Sequence, residues 1–402
     1  MPTMREANLR HASHYYGVTR IASASYQEGG EMLERALSLF DLEWSNIDFG
    51  QTWCASHSDD EEVARFSIAY ARDASALLEL RYHPRDRIRW FEAALAASSR
   101  TNDSVSKSIL LNELGRVHVD LGNYSSAIKM HEQALSAFGE VIDLSIESDI
   151  LNNLGRAHYM KGDAVLSIEF HNQALENARR LHDRRKECRS LGNLGLAHKA
   201  LHQLNEAAEY YEQQLVISRK IGDRNLEGEA LGNFGDVFLA LHKPRQAIHL
   251  FDQRLAICRE LGDRRKEGIT LSNLGRASAA LGDLDQAINY HEQALIIHGE
   301  VGNQRGAAQA LGNIGRAYYL SGKTDLALQF YQRSRVIHQR IGNARAEGEV
   351  VFNIALALNR LGDRARAIEE GKGALKILER VSGANLDRIR KQLNLWREYE
   401  GA

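Results

Sequence analysis

Six asparagines recur at one fixed interval. Asn153, Asn193, Asn233, Asn273, Asn313 and Asn353 follow one another at a period of 40, and Glu113 holds the place one period earlier. A side-chain amide both donates and accepts, so a ladder of amides suits the N–H and C=O groups of an extended peptide whatever its side chains. The same residues fit a second role, each bonding a carbonyl of a neighbouring helix and holding a stack together. Three places further on stand Arg116, Arg156, Leu196, Asp236, Arg276, Arg316 and Leu356. A spacing of i to i+3 puts each arginine beside its asparagine on a helix face, and guanidinium groups hold carboxylates bidentately. Two basic pairs, Arg116 with Arg156 and Arg276 with Arg316, thus flank a non-basic middle. That arrangement suits an extended peptide with acidic residues toward its ends. Pairing of these arginines with nearby glutamates is the competing reading, since charged helix residues are usually solvated.

Other chemistry is weaker. The words LGNLG at 191–195, LNNLG at 151, LGNFG at 231, LSNLG at 271 and LGNIG at 311 resemble a phosphate loop, but Arg, Leu or Asp follows the last glycine where Lys-Ser or Lys-Thr is needed. The Arg-rich turns HDRRKE at 182–187 and GDRRKEG at 262–268 contain glutamates and lack the aromatic platforms of a single-strand binder, so they read as aspartate-capped helix starts and no nucleic-acid partner is expected. Most of the 16 histidines fall at repeat-equivalent places: His118, His158 and His198 share one, His131, His171 and His291 another. Rings packed between helices explain that spacing better than metal ligands do. Every candidate nucleophile belongs to the repeat pattern, so the expectation is no enzyme, with no catalytic, cofactor-binding or metal-binding residue.

Composition agrees with this. The 51 basic and 53 acidic side chains leave a formal charge of -2, which gives no bulk field for nucleic acid. Cys54, Cys188 and Cys258 are odd in number and form no CxxC, which points to a reducing compartment and a cytoplasmic protein. No apolar run reaches the roughly 20 residues of a membrane span, so no membrane partner is expected. Oligomeric state is not encoded legibly.

The elements that must position these residues follow from the period. Rows of 40 from Leu111 superimpose seven units through 390 without insertion or deletion. Each holds two blocks of helical periodicity, for example KEGITLSNLGRASAALG and LDQAINYHEQALIIHGEVG, divided by GD at 282–283 and GN at 302–303. The fold class is therefore all-α. Small residues recur where two helices of a pair cross closely: Gly155, Gly195, Gly235, Gly275 and Gly315 on the first helix, Ala207, Ala247, Ala287 and Ala327 on the second. A helix-interior glycine costs about 1 kcal/mol relative to alanine, so its recurrence implies compensating close approach.

The order Leu274, Gly275, Ser278, Gly282, Ala287, His291, Ala294 resembles the tetratricopeptide repeat, with serine at the usual aromatic place. The match covers about 70 per cent of the chain. The period is 40 rather than the usual 34, and the proline that closes the second helix is missing, so the helices are longer. Such versions resemble those of kinesin light chains, spindle-orientation adaptors and the sensor regions of bacterial signalling (STAND-type) ATPases. HEAT and armadillo arrays have similar periods but lack the Gly–Ala register. The resemblance implies an α-solenoid, a right-handed superhelix whose first helices line a concave surface where partners bind. On that surface the resemblance puts the asparagine row.

At the ends the pattern changes. Residues 71–110 keep the register weakly, with Ile88, Phe91, Ala94 and Leu95 in the places of Ile168, His171, Ala174 and Leu175, and read as a degenerate repeat. Residues 1–70 are a helical region without repeats, in which Met32, Leu33, Ala36, Leu37 and Phe40 share one face and SHSDDEE at 56–62 is a loop with capping residues. The words ALSLFDLEWSNIDFG and RWFEAALAAS resemble the helical region that joins an ATPase module to its repeats in bacterial signalling ATPases. Downstream, Leu386, Ile389, Leu393 and Trp396 form one stripe of a helix expected over about 384–399, a C-terminal cap whose end fills 391–402. The function expected is a non-enzymatic scaffold that binds an extended acidic segment of another protein. The alternative is a ligand- or peptide-sensing region of a bacterial signalling protein, a STAND ATPase sensor or a pheromone-receptor-like regulator.

Overall fold

The computed structural model describes residues 3–28, 31–138, 143–381 and 386–398. It divides into two compact units, Met1–Gln203 and Leu204–Ala402. All regular structure among the described residues is helical.

The first unit begins with the hairpin α1 (Met4–Glu28) and α2 (Glu31–Ser56), followed by α3 (Glu61–Asp73), α4 (Ser75–Arg81) and α5 (Pro84–Ser98). The loop expected at 56–62 is shorter, a turn over 57–60 with Ser56 ending α2 and Glu61 and Glu62 opening α3, and Asp60 caps α3 by accepting from the N–H groups of Glu62 and Val63. Of the face expected on α2, Ala36 and Phe40 are buried. The two N-terminal words meet in space. Trp44 stacks on Trp90, with ring centroids 5.4 Å apart, and Asp48 accepts from Trp90 Nε1 at 2.9 Å. Phe91 and Ala94 are buried on α5, while α3 and α4 are divided at Ala74.

From there the 40-residue period becomes strict. The first unit continues with α6 (Ser104–Asp120), α7 (Tyr124–Ser136), α8 (Leu144–Lys161), α9 (Ala164–Arg180) and α10 (Arg184–Ala200). The second holds α11 (Leu204–Ile221), α12 (Arg224–Ala240), α13 (Pro244–Glu260), α14 (Arg264–Leu281), α15 (Leu284–Glu300), α16 (Gln304–Leu320), α17 (Thr324–Arg340), α18 (Ala344–Arg360), α19 (Arg364–Arg380) and α20 (Leu386–Glu398). Leading helices start at positions 104, 144, 184, 224, 264, 304 and 344, and each trailing helix starts half a period after its leader. Aspartate or asparagine caps most leading helices: Asp183 accepts from Arg185 N and Lys186 N, Asp263 from Lys266 N. The turns need one residue of positive φ, supplied by Gly262, Gly282 and their equivalents, but by His182, His202 and His242 in three turns.

The recurrent glycines are closed by rings. A Cβ at Gly155 would lie 2.7 Å from His171 and one at Gly315 would lie 2.7 Å from Tyr331, and Phe251 and His291 cover Gly235 and Gly275 in the same way. This close approach inside each pair offsets the helix-propensity cost of glycine. It also answers the phosphate-loop reading, because these glycines lie in mid-helix against side chains. Burial holds the imidazoles neutral: His131 and His171 are pushed down to about 3 and His291 to about 4.

Ion pairs join consecutive pairs of helices. Glu187, Glu227 and Glu267 are buried, and each is held by one arginine from the preceding trailing helix and one from its own first turn. For Glu267 these are Arg259 at 2.9 Å and Arg264 at 2.6 Å. Burial works against the Glu267 carboxylate, and the hydrogen bonds from Arg259 and Arg264 outweigh it, leaving the group below the ordinary carboxylate range. At the C-terminus Ile389, Leu393 and Trp396 of α20 are buried in one core cluster with residues of α18 and α19. This is the capping helix of the array; its expected ends at 384–385 and 399 lie outside the described residues.

Candidate binding site on the leading helices of the second unit

The asparagine row lies on the leading helices and is mostly half-buried; Asn273 is buried. Two members are tied to the helix before, though to amides rather than carbonyls: Asn153 Nδ2 donates to Asn112 Oδ1 at 3.1 Å and Asn193 Nδ2 to Asn152 Oδ1 at 3.3 Å. In the second unit Asn273 Oδ1 accepts from Arg276 Nη1 at 3.2 Å, while Asn233, Asn313 and Asn353 make no side-chain hydrogen bond among the described residues. The arginines differ similarly. Arg116 donates to Glu113 and to Glu79, and burial, which opposes its charge, is outweighed by these carboxylates. The glutamate one turn before Arg116 was the visible sign of this. Arg276 also lies 3.6 Å from Asp236. Arg156 and Arg316 are exposed and have no ion pair among the described residues.

Three adjoining cavities line the leading-helix face of the second unit. The largest, about 690 Å³, contains Asn273, Arg276, Asn313, Arg316 and Asn353, five of the residues expected from sequence. A second of about 240 Å³ shares Arg276, Asn313 and Arg316, and a third of about 330 Å³ shares Arg316 and Asn353 and adds Tyr319, Tyr331 and Arg388. Arg316 borders all three. Sequence reasoning missed Arg305, Ser334, His298 and His338, which also line the largest cavity. The two histidines hold the same place in successive repeats, a signal the period already contained. Asn153, Asn193, Arg116 and Arg156 belong to the first unit and Asn233 lies outside these cavities. The trough therefore offers the amides of Asn313 and Asn353, which can match a peptide backbone, beside guanidinium groups that can take carboxylates.

Models of the tetratricopeptide repeat match residues 110–141, 147–215, 188–260 and 266–340. The chain belongs to the tetratricopeptide repeat family. No curated protein matches it in sequence. Among solved structures, this tetratricopeptide protein is similar to a STAND protein with a tetratricopeptide repeat sensor from Pyrococcus horikoshii, with a TM-score of 0.62 and 18% identity over 87% of this chain and 55% of that one. It thus spans about half the length of that protein. It is also similar to the apo form of the quorum sensor NprR from B. thuringiensis, with a TM-score of 0.63 and 13% identity over 85% of this chain and 99% of that one. A Rap protein complexed with competence and sporulation factor gives a TM-score of 0.57 and 15% identity over 97% of this chain and 99% of that one. At these identities the likeness is one of fold. Among the described residues, no helix is long and apolar enough to cross a membrane.

Proposed function

We propose that the second unit binds an extended segment of another protein or a peptide, with its backbone on Asn273, Asn313 and Asn353 and a carboxylate near Arg276 and Arg316. The observation that carries this reading is the run of adjoining cavities in which those amides and Arg316, without an ion-pair partner among the described residues, line one face. The role is binding without catalysis, supported by the packing of the buried histidines beneath glycines. A cytoplasmic site of action belongs to the same proposal and is supported by Cys54, Cys188 and Cys258, all buried and none in a disulfide.

A second reading makes the chain a peptide-sensing regulator. It is supported by the similarity to the Rap protein, which bound a factor and aligns along nearly the whole of both chains. The finer resemblances to kinesin light chains and spindle adaptors add no further support. Titrating acidic peptides against the wild type and an Arg276→Glu/Arg316→Glu variant tests the first reading. Affinity should fall at least tenfold; an unchanged affinity refutes the role of the trough.

A further inference from the structure

At one fixed position of the leading helix and one of its trailing helix, five of seven repeats hold complementary sizes, and Ser272 with Ala294 and Gly312 with Ser334 are small on both sides. The pairs are Asn112 and Ala134, Asn152 and Ala174, Gly192 and Gln214, Gly232 and Arg254, Ser272 and Ala294, Gly312 and Ser334, Phe352 and Ala374. A Cβ at Gly232 would run into the Arg254 guanidinium, so there the long side chain fills the place the glycine leaves. Gly312 with Ser334 is the pair that joins glycine to a residue as small as serine. A Cβ at Gly312 would meet only Ser334 Oγ at 3.4 Å and Val350 Cγ2 at 4.0 Å, ordinary contact distances. The joints on either side of this pair, between α14 and α16 and between α16 and α18, lack a second filler. Lys186 reaches back to Asp149 at 2.6 Å and Lys266 to Asn225 at 3.5 Å, whereas the equivalent residues are Gly306 and Ala346. All four small residues, Gly306, Gly312, Ser334 and Ala346, line the cavity of about 690 Å³.

A polar group is left waiting on its wall. His338 lines this cavity, is 1% exposed, and its Nδ1 has no hydrogen-bond partner. Burial holds its imidazole below the ordinary value, Arg305 adds to this, and Glu347 and Glu349 oppose it. Arg316 stands one helical turn from Gly312 on α16. Resting on the binding role proposed above, we infer that the gap at Gly312 and Ser334 is an anchor pocket for one glutamate side chain of the bound segment, its carboxylate taken by Arg316. The methylenes lie along Val350, and the amides of Asn313 and Asn353 hold the backbone on either side.

The test uses the full chain and four degenerate nonapeptide libraries whose central residue is fixed as Glu, Gln, Phe or phosphoserine. The wild type should retain the Glu-fixed library at least fivefold above the others. Gly312→Asn, the residue that Asn112 and Asn152 supply at the equivalent place, should cut that retention at least tenfold with helicity unchanged by circular dichroism. Gly299→Asn, outside the cavity and with open space where its Cβ would stand, should leave retention as in the wild type. Equal retention by Gly312→Asn, or a preference for Phe or phosphoserine, overturns the anchor alone. Retention of no library by any protein overturns both the anchor and the binding role.

Discussion

The joint between α13 and α14 and the joint between α15 and α16 follow the same 40-residue plan and differ in a few side chains. In the first, Arg259 and Arg264 close on Glu267. In the second, the three equivalent residues are Gly299, Gln304 and Ala307. Both leading helices begin at the same place in the period. A repeat array can thus lose an ionic clasp at one joint, beside the cavity lined by Gly306, Gly312, Ser334 and Ala346, while ring contacts within the pairs are kept. The contrast reaches down to single glycines: Gly315 is closed by Tyr331, whereas Gly312, one turn earlier on the same helix, borders the cavity.

Substitutions at those two glycines separate the cases most sharply. Gly315→Leu drives a branched side chain into Tyr331 and should cost about 3 kcal/mol in urea unfolding. Gly312→Ala should instead gain about 0.5–1 kcal/mol from helix propensity, because its Cβ meets only ordinary contacts. Equal losses at both sites would erase the distinction.

Acid should loosen the closed regions. The folded-state values of His171, about 3, and His291, about 4, lie below the ordinary 6.5, so the unfolded chain binds protons first as pH falls. Stability is therefore full above 6.5 and is lost progressively below it, by about 2 kcal/mol per ring at pH 5. His291→Tyr, the residue found as Tyr331 one repeat later, should flatten the fall in melting temperature between pH 7 and pH 5.

Glu267→Ala strips the charge from two arginines at the closed joint and should cost about 1–2 kcal/mol. Building Gln304→Arg with Ala307→Glu into the open joint should return less than about 1 kcal/mol and only at low salt. A gain of similar size lies in the turns: His242→Gly relieves a side chain held at φ 57° and should gain about 0.5–1 kcal/mol in thermal melting.

Much of this was legible from residues alone. The helix pairs, the caps at Asp183 and Asp263 and the packing of the His131, His171 and His291 rings between helices all follow from periodicity, whereas the contact of His291 with Gly275 does not, since the pattern sets the glycines against the recurrent alanines. The asparagine row was legible as a row, but not its division: Asn153 and Asn193 are bound to Asn112 and Asn152, and that depends on which residue stands beside each amide on the adjacent helix. Arg116 shows the same limit, since Glu79 reaches it from a segment whose register is weak. The cavity could not be read at all, because it comes from what is missing at Gly306, Gly312, Ser334 and Ala346 together, on three different helices.

Hydrogen exchange on the full chain, with and without the tightest peptide selected from the glutamate-fixed library, shows where a bound segment sits. The account predicts that peptide slows exchange in α14, α16 and α18, most of all around Gly312 in α16, and leaves α6 and α8 unchanged. Slowing confined to the first unit, or none around Gly312 at saturating peptide, would contradict it.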